Sequence, residues 1–326
     1  MHGLSMCKIP FGGGDSVISK ISTNGMNHSK WLDQRKKSIG GSDAATIIGL
    51  NPYSSPYELW ADKLGKVPPK EENEAMRLGH DLEDYVAKRF CEATGKRVRR
   101  ENAIIYNDKF PYAHANVDRL IIGEKAGLEC KTTSVLNLRK FKNGNFPPVY
   151  YVQCQHYMMV TELPKWYLAV LVLGKEFLWF EINRNEEDIQ ALKEAEQQFW
   201  EDVKINDSPP VDGSDSCSDT LSEIYRESDD SEVDLTPLHI ALKTRQNLND
   251  QIKELNELKN EQDNKIKAYM QTAEKGSCDE FKVSWKSAVR NTFDSKKYME
   301  DHPNEDFSPY IKKSHCRTFR VTENEA

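Results

Sequence analysis

The sequence predicts an α/β (α+β) protein, a mixed central sheet flanked by helices with a helical accessory region after it. Three observations carry that expectation. Helical and strand-like hydrophobic patterns alternate between residues 42 and 204. The stretch NVDRLIIGEKAGLECKTT at 116–133 reads as two strands about a turn at Gly123–Gly127, and a Ser/Asp-rich run at 206–236 separates all of this from a long heptad-like pattern. A chain of 326 residues, 38% of them hydrophobic, is long enough for one substantial core plus an accessory region.

Residues 1–26, with Gly12–Gly14 and scattered serines, read as a flexible tail. Helices follow at about 42–49, 56–64 and 75–94, the first with Ser42 as its N-cap over Asp43 to Ile48. Strands are expected near 102–107, 112–122 and 127–133, then a helix at about 147–162. WYLAVLVL (166–173) and EFLWFEI (176–182) read as a hairpin turning at Gly174-Lys175, closed by a helix at about 185–204. Beyond the 206–236 linker, residues 237–274 form a long amphipathic pattern with Leu248, Ile252, Leu255, Ile266 and Tyr269 along one seam. Lys259 and Gln262 interrupt that seam, which favours packing on another surface over a two-stranded coiled coil. Two short pieces, 281–293 and 315–321, read as strands that pair.

The net charge of −7 argues against a nucleic-acid partner only until its distribution is read. Residues 201–234 hold 12 Asp/Glu against Lys204 and Arg226, a local balance of −10 that leaves about +3 on the rest. Arg35, Lys36, Lys37 and the KRVRR run at 96–100 are groups suited to tracking phosphates. The seven cysteines are scattered and form no CxxC pair, a pattern of reduced thiols rather than of a disulfide framework or zinc site. With no apolar run of membrane-spanning length and no signal-peptide pattern, the expected location is the cytoplasm, with no membrane partner.

The candidate chemistry lies in the 116–133 hairpin. Strand alternation sends Leu128, Cys130 and Thr132 to one face and puts Glu129 and Lys131 together on the other, with Asp118 on the adjoining strand. Two hard carboxylates suit magnesium or manganese, and an ammonium beside them can orient or deprotonate a water. A hairpin with solvated charges is the ordinary alternative. Three more elements accompany the trio. GHDLE at 79–83 is a GxxxE element that sets Glu83 beside a helical apolar face, and QCQHY at 153–157 puts Gln153 and Tyr157 on one helix face. Arg35 precedes Ser42 by seven residues, a guanidinium near a helix start and thus a natural phosphate receptor. His80 and His156, without partners at metal-ligand spacing, read as surface or supporting imidazoles.

With these elements in the order W…R…S, GxxxE, D…ExK and QxQ, residues 27–205 resemble the YqaJ-type viral recombinases, relatives of the phage lambda exonuclease among the PD-(D/E)xK nucleases. The resemblance implies a restriction-endonuclease-like core and a metal-dependent DNA exonuclease of phage or prophage recombination. It would hydrolyse phosphodiester bonds at duplex ends, 5′ to 3′, in a bacterial host cell. It further implies that Asp118, Glu129 and the Cys130 backbone carbonyl bind Mg2+ (or Mn2+), that Lys131 serves the attacking water, that Glu83 supports the metal, and that Arg35 and Ser42 hold the 5′ phosphate. The implied partners are double-stranded DNA ends, a single-strand annealing or single-stranded-DNA-binding protein, and other copies of the chain in a ring trimer. Val117 stands where the family has proline before its first acidic residue. Tyr157 matches the QxxxY pattern of RecB-like nucleases, which leaves Gln153 and Gln155 as alternatives for the site. An endonuclease with the same metal site, and a catalytically silent DNA-binding protein that loads a recombination partner, are the rival readings.

Overall fold

The computed structural model describes residues 17–312 and 317–322. The chain divides into two compact units, Met1–Arg226 and Glu227–Ala326. In the first, the elements run β1 (Ile18–Ser22), α1 (His28–Arg35), α2 (Gly41–Ile47), α3 (Pro56–Lys63), α4 (Glu74–Thr94), β2 (Val98–Arg100), β3 (Ala103–Asn107), β4 (His114–Asn116), β5 (Arg119–Ile121) and β6 (Ala126–Thr133). There follow α5 (Pro148–Thr161), β7 (Lys165–Val172), β8 (Glu176–Asn183), α6 (Glu186–Ile205) and α7 (Asp215–Ile224).

The main sheet has the order β2-β5-β6-β7-β8 and is mixed: β6 and β7 are parallel, and the other neighbours antiparallel. Its middle is buried on both sides, which is why β7 reads as an unbroken apolar run. Trp166, Leu168 and Val170 of β7 join the large core shared with α3, α5 and α6, and Tyr167 and Ala169 turn to the smaller core beneath Val86, Ala87 and Phe90 of α4. Gly127 of β6 lies opposite Trp166 in this register, and a Cβ there would meet the indole at 2.2 Å. The close approach of ring and strand requires glycine.

Several expectations shift. The stretch 112–122 is two strands rather than one, broken at Val117 and Asp118, and β4 leaves the main sheet to pair with β3. Within the expected tail, β1 pairs antiparallel with β3, Ile18 opposite Asn107 and Ser22 opposite Ala103. Residues 1–16 of that tail lie outside the described residues. The N-cap of α2 is Gly40, not Ser42: the Asp43 carboxylate accepts from the Gly40 amide at 3.0 Å, and Ser42 is already helical. The acidic 206–236 stretch is not wholly loose, since α7 packs against α3 with Cys217 and Thr220 buried. The hydroxyl of Ser216 accepts from the Ser55 amide at 2.9 Å and donates to Glu58 at 2.7 Å. Composition concealed this helix because only Cys217, Thr220, Leu221 and Ile224 need to face inward.

The second unit begins with α8 (His239–Met270), whose seam residues Leu248, Ile252 and Leu255 are exposed rather than packed. A hairpin of β9 (Lys275–Ser277) and β10 (Lys282–Ser284) follows, then α9 (Ser295–Asp301). The expected pairing of 281–293 with 315–321 is replaced by β9–β10; residues 313–316 lie outside the described residues, and 317–322 form no strand. Among the described residues no helix is long and apolar enough to cross a membrane.

Candidate active site

A cavity of about 650 Å³ opens where α1, α2, α4 and α5 meet the β5–β6 hairpin. Its wall includes Arg35, Ser42, Glu83, Asp118, Glu129, Cys130, Lys131, Gln153 and Tyr157, gathered from more than a hundred residues of sequence. Of the candidate catalytic, metal-binding and 5′-phosphate residues, Gln155 is the one that does not line it.

The alternation of β6 puts Glu129 and Lys131 on the face covered by α5, and Lys131 Nζ lies 2.6 Å from Glu129 Oε1. The same oxygen accepts from Gln153 Nε2 at 2.7 Å, and that amide also donates to the Tyr157 hydroxyl at 2.8 Å. One helical turn separates Gln153 from Tyr157, so α5 presents both to the strand. The other carboxylate oxygen, Glu129 Oε2, is buried with no hydrogen-bond partner. Asp118, at the break before β5, accepts from the Cys130 amide at 2.8 Å, which ties it across the hairpin to the residue between Glu129 and Lys131.

Burial pushes the Asp118 carboxyl well up from its ordinary pKa, and the neighbouring Glu129 and Glu83 charges push the same way. Burial raises Glu129 too, with Glu83 adding to it against the pull of Lys131. The Lys131 ammonium is held above its ordinary value because Glu129 and Asp118 outweigh its own desolvation. Carboxylates that repel one another, together with an unsatisfied oxygen, make a site that an added cation would relieve. The donors are all oxygens, which fits a hard divalent ion such as Mg2+ or Mn2+. Among the described residues no three His, Cys, Asp or Glu groups are spaced as a complete cage. The residues that could hold such an ion are the Asp118 and Glu129 carboxylates, with the Cys130 carbonyl of β6 beside them, which would leave water or substrate oxygen for the rest.

Glu83 projects from α4 but is engaged by a guanidinium that sequence reasoning missed. Arg119, 3% exposed, binds Glu83, donates to Asp84 Oδ1 at 2.6 Å and reaches the Asp118 carbonyl at 2.7 Å. Its place next to Asp118 in the sequence was the available signal; strand alternation points it toward α4. Gln155 is a correction: it is buried away from the cavity, donating to the Asn183 carbonyl at 2.9 Å and accepting from the Asn185 amide at 3.1 Å. Helical geometry decides between the two glutamines, since positions two apart face different ways.

At the other end of the cavity, Arg35 Nη2 donates to Ser42 Oγ at 2.8 Å, and its guanidinium lies over the Trp31 ring with 4.8 Å to the centroid. Gly41 permits α2 to approach α5: a Cβ there would meet Tyr157 at 2.5 Å. His156 is fully buried rather than at the surface, bonded to Glu196 at 2.7 Å and to the His114 carbonyl at 2.9 Å. His80 is exposed beside Glu72. Of the basic run at 96–100, Lys96, Arg99 and Arg100 are paired with Glu124, Glu101 and Asp84.

Residues 30–164 match the model of the YqaJ-like viral recombinase domain. The YqaJ protein of Bacillus subtilis (strain 168) is 40% identical over 313 residues, 94% of this chain and 97% of that one. This chain belongs to the YqaJ-like viral recombinase family. Its mixed sheet is flanked by helices, with Asp118 just before β5 and with Glu129 and Lys131 on the adjoining β6. Solved structures similar to this family member include an alkaline exonuclease from Laribacter hongkongensis, at 20% identity and TM-score 0.48 over 55% of this chain and 93% of that one. A phage-related exonuclease from Haemophilus somnus 129PT is similar at 14% identity and TM-score 0.41, over 55% of this chain and all of that one.

Proposed function

We propose that this protein is a divalent-metal-dependent deoxyribonuclease of phage or prophage recombination, an exonuclease that hydrolyses one strand from duplex DNA ends. The observation that carries the reading is the single cavity that joins Asp118, Glu129 and Lys131 to Arg35 and Ser42. Asp118, Glu129 and the Cys130 carbonyl would hold the cation, which would supply positive charge to acidify water and to offset charge on the phosphorane-like transition state. The Lys131 ammonium donates a hydrogen bond that orients the attacking water and offsets charge developing on the phosphate, the water's proton leaving to solvent, and Gln153 with Tyr157 fixes the Glu129 carboxylate. Arg35 and Ser42 bind the terminal 5′ phosphate through charge-assisted hydrogen bonds, which sets a 5′ to 3′ direction. Arg119 holds Glu83 against the Asp118 carbonyl. A ring of three copies and a single-strand annealing partner belong to this reading by family resemblance alone.

The test is digestion of end-labelled linear, end-blocked and circular duplexes with Mg2+, with Mn2+ and with chelator. The expected result is metal-dependent loss of the linear duplex from its 5′ ends, with the circle spared. Cleavage of the circle at a comparable rate would favour an endonuclease. On matched linear duplexes Arg35→Ala should slow 5′-phosphorylated ends about tenfold or more beyond its effect on 5′-hydroxyl ends, since a charge-assisted hydrogen bond contributes about 1.5–3 kcal/mol.

A further inference from the structure

Lys63, the last residue of α3, lies directly under the Arg35–Ser42 pair and outside every role assigned above. Its side chain is 3% exposed. Nζ donates to the Arg35 carbonyl at 2.9 Å, to the Ser38 carbonyl at 2.8 Å and to Asp43 Oδ2 at 2.7 Å. An ammonium has three protons, and all three are used. The three acceptors lie on consecutive pieces of the chain: the end of α1, the connection after it, and the first turn of α2. Arg35 is itself one of the residues held, and Ser42 is the neighbour of another.

Asp43 completes the arrangement from the far side. Its Oδ2 takes Lys63 and the Gly40 amide, and its Oδ1 lies 3.9 Å from the Arg35 guanidinium. The guanidinium therefore has its backbone fixed by Lys63, its plane laid on Trp31 and its edge aimed at the Ser42 hydroxyl. Burying an ammonium is costly, and an apolar side chain would fill the same space without that cost. What the ammonium adds is a fixed spacing between two helices, and recognition through a bidentate grip depends on spacing to within about 1 Å.

We propose that Lys63 is a positioning residue for the strand end: by fixing α1 against the start of α2 it makes Arg35 and Ser42 converge on one terminal phosphate. This rests on the reading of Arg35 and Ser42 as the 5′-phosphate site. Lys63 touches no substrate atom in that role. It acts through the carbonyl of Arg35 and through Asp43.

The experiment compares kcat and KM on duplexes that differ only in a 5′ phosphate or 5′ hydroxyl, with the full-length chain in excess Mg2+. Two variants are used, Lys63→Met and the double change Lys63→Met with Asp43→Asn, the second because it leaves no buried carboxylate facing an apolar side chain. Circular dichroism and thermal melting establish that each is folded. The expected result is a phosphate-over-hydroxyl preference about tenfold smaller than in the wild type, carried mainly by a higher KM on phosphorylated ends. A general loss of stability alone would lower both substrates together and leave the ratio in place. A folded variant of either kind with the wild-type ratio overturns the role of Lys63 while the phosphate site stands. A wild-type ratio of one overturns the phosphate site itself, and the role of Lys63 with it.

Discussion

Glu129 divides its two oxygens unequally: Oε1 takes both Lys131 and Gln153, and Oε2 is buried without a partner. An orphaned buried acceptor costs about 1–3 kcal/mol, more when charged, and a cation bound there would relieve that cost. Asp118→Asn and Glu129→Gln should therefore each reduce metal-dependent cleavage by orders of magnitude with the circular dichroism spectrum preserved. Unchanged turnover in either variant sinks the assignment. Asp43 is the opposite case. Although burial pushes its carboxyl up, Lys63 and Arg35 hold it well below the ordinary carboxylate range. A depressed folded pKa contributes stability above the unfolded value, and that contribution is lost as pH falls through the folded one. Asp43→Asn should cost about 3–5 kcal/mol at neutral pH because it strands the buried Lys63 ammonium. Below about pH 4 the wild type should lose stability more steeply than the variant. Urea titrations across pH measure both; parallel curves would show that the pair is not coupled to folding.

At the scale of elements, the site depends on two close approaches. Gly127 lets the Trp166 ring lie against β6 one turn of pleat from Glu129, and Gly41 lets α2 touch Tyr157. Gly127→Ala should destabilise by at least about 1–3 kcal/mol, since backbone and a fully buried indole leave the new methyl nowhere to go. A thermal melt equal to wild type would mean that the indole moves freely. α7 makes a second element-level prediction. A chain cut after Ile205 exposes the α3 surface that Cys217, Leu221 and Ile224 cover, and it loses the Ser216 bonds to Ser55 and Glu58. It should melt several degrees lower than a chain cut after Arg226, and equal midpoints would show that α7 contributes nothing.

For the whole molecule, each proposed active-site residue lies in the unit that ends at Arg226. A Met1–Arg226 fragment should fold and retain single-turnover cleavage of duplex ends, because it keeps both cores and the complete cavity. The full chain and the fragment are then compared for product length under a DNA trap, which reads processivity separately from chemistry. A folded fragment that binds DNA and Mg2+ yet cleaves nothing would place an essential group in residues 227–326.

The sequence by itself determined the type and order of most elements and the identity of the D…ExK trio, because strand alternation, helical spacing and the GxxxE and QxxxY patterns are local properties of the chain. It determined that Glu129 and Lys131 share a face, and the register of β6 keeps them within 2.6 Å. The choice of Gln153 over Gln155 needed the position of α5 over β6, since helical spacing says that the two amides face different ways but not which of them faces the site. Lys63 was invisible in sequence for a related reason: it is one charged residue among 45 Lys and Arg, and only its burial among carbonyls and a carboxylate sets it apart, whereas Arg119 had its place beside Asp118 as a signal but its partners on α4 came from the fold. The helix within the acidic 206–236 stretch escaped composition because its few apolar side chains are stabilised by the surface of α3, which lies about 160 residues earlier in the chain. Partnerships at that distance are decided by packing, and packing is a property of the folded chain alone.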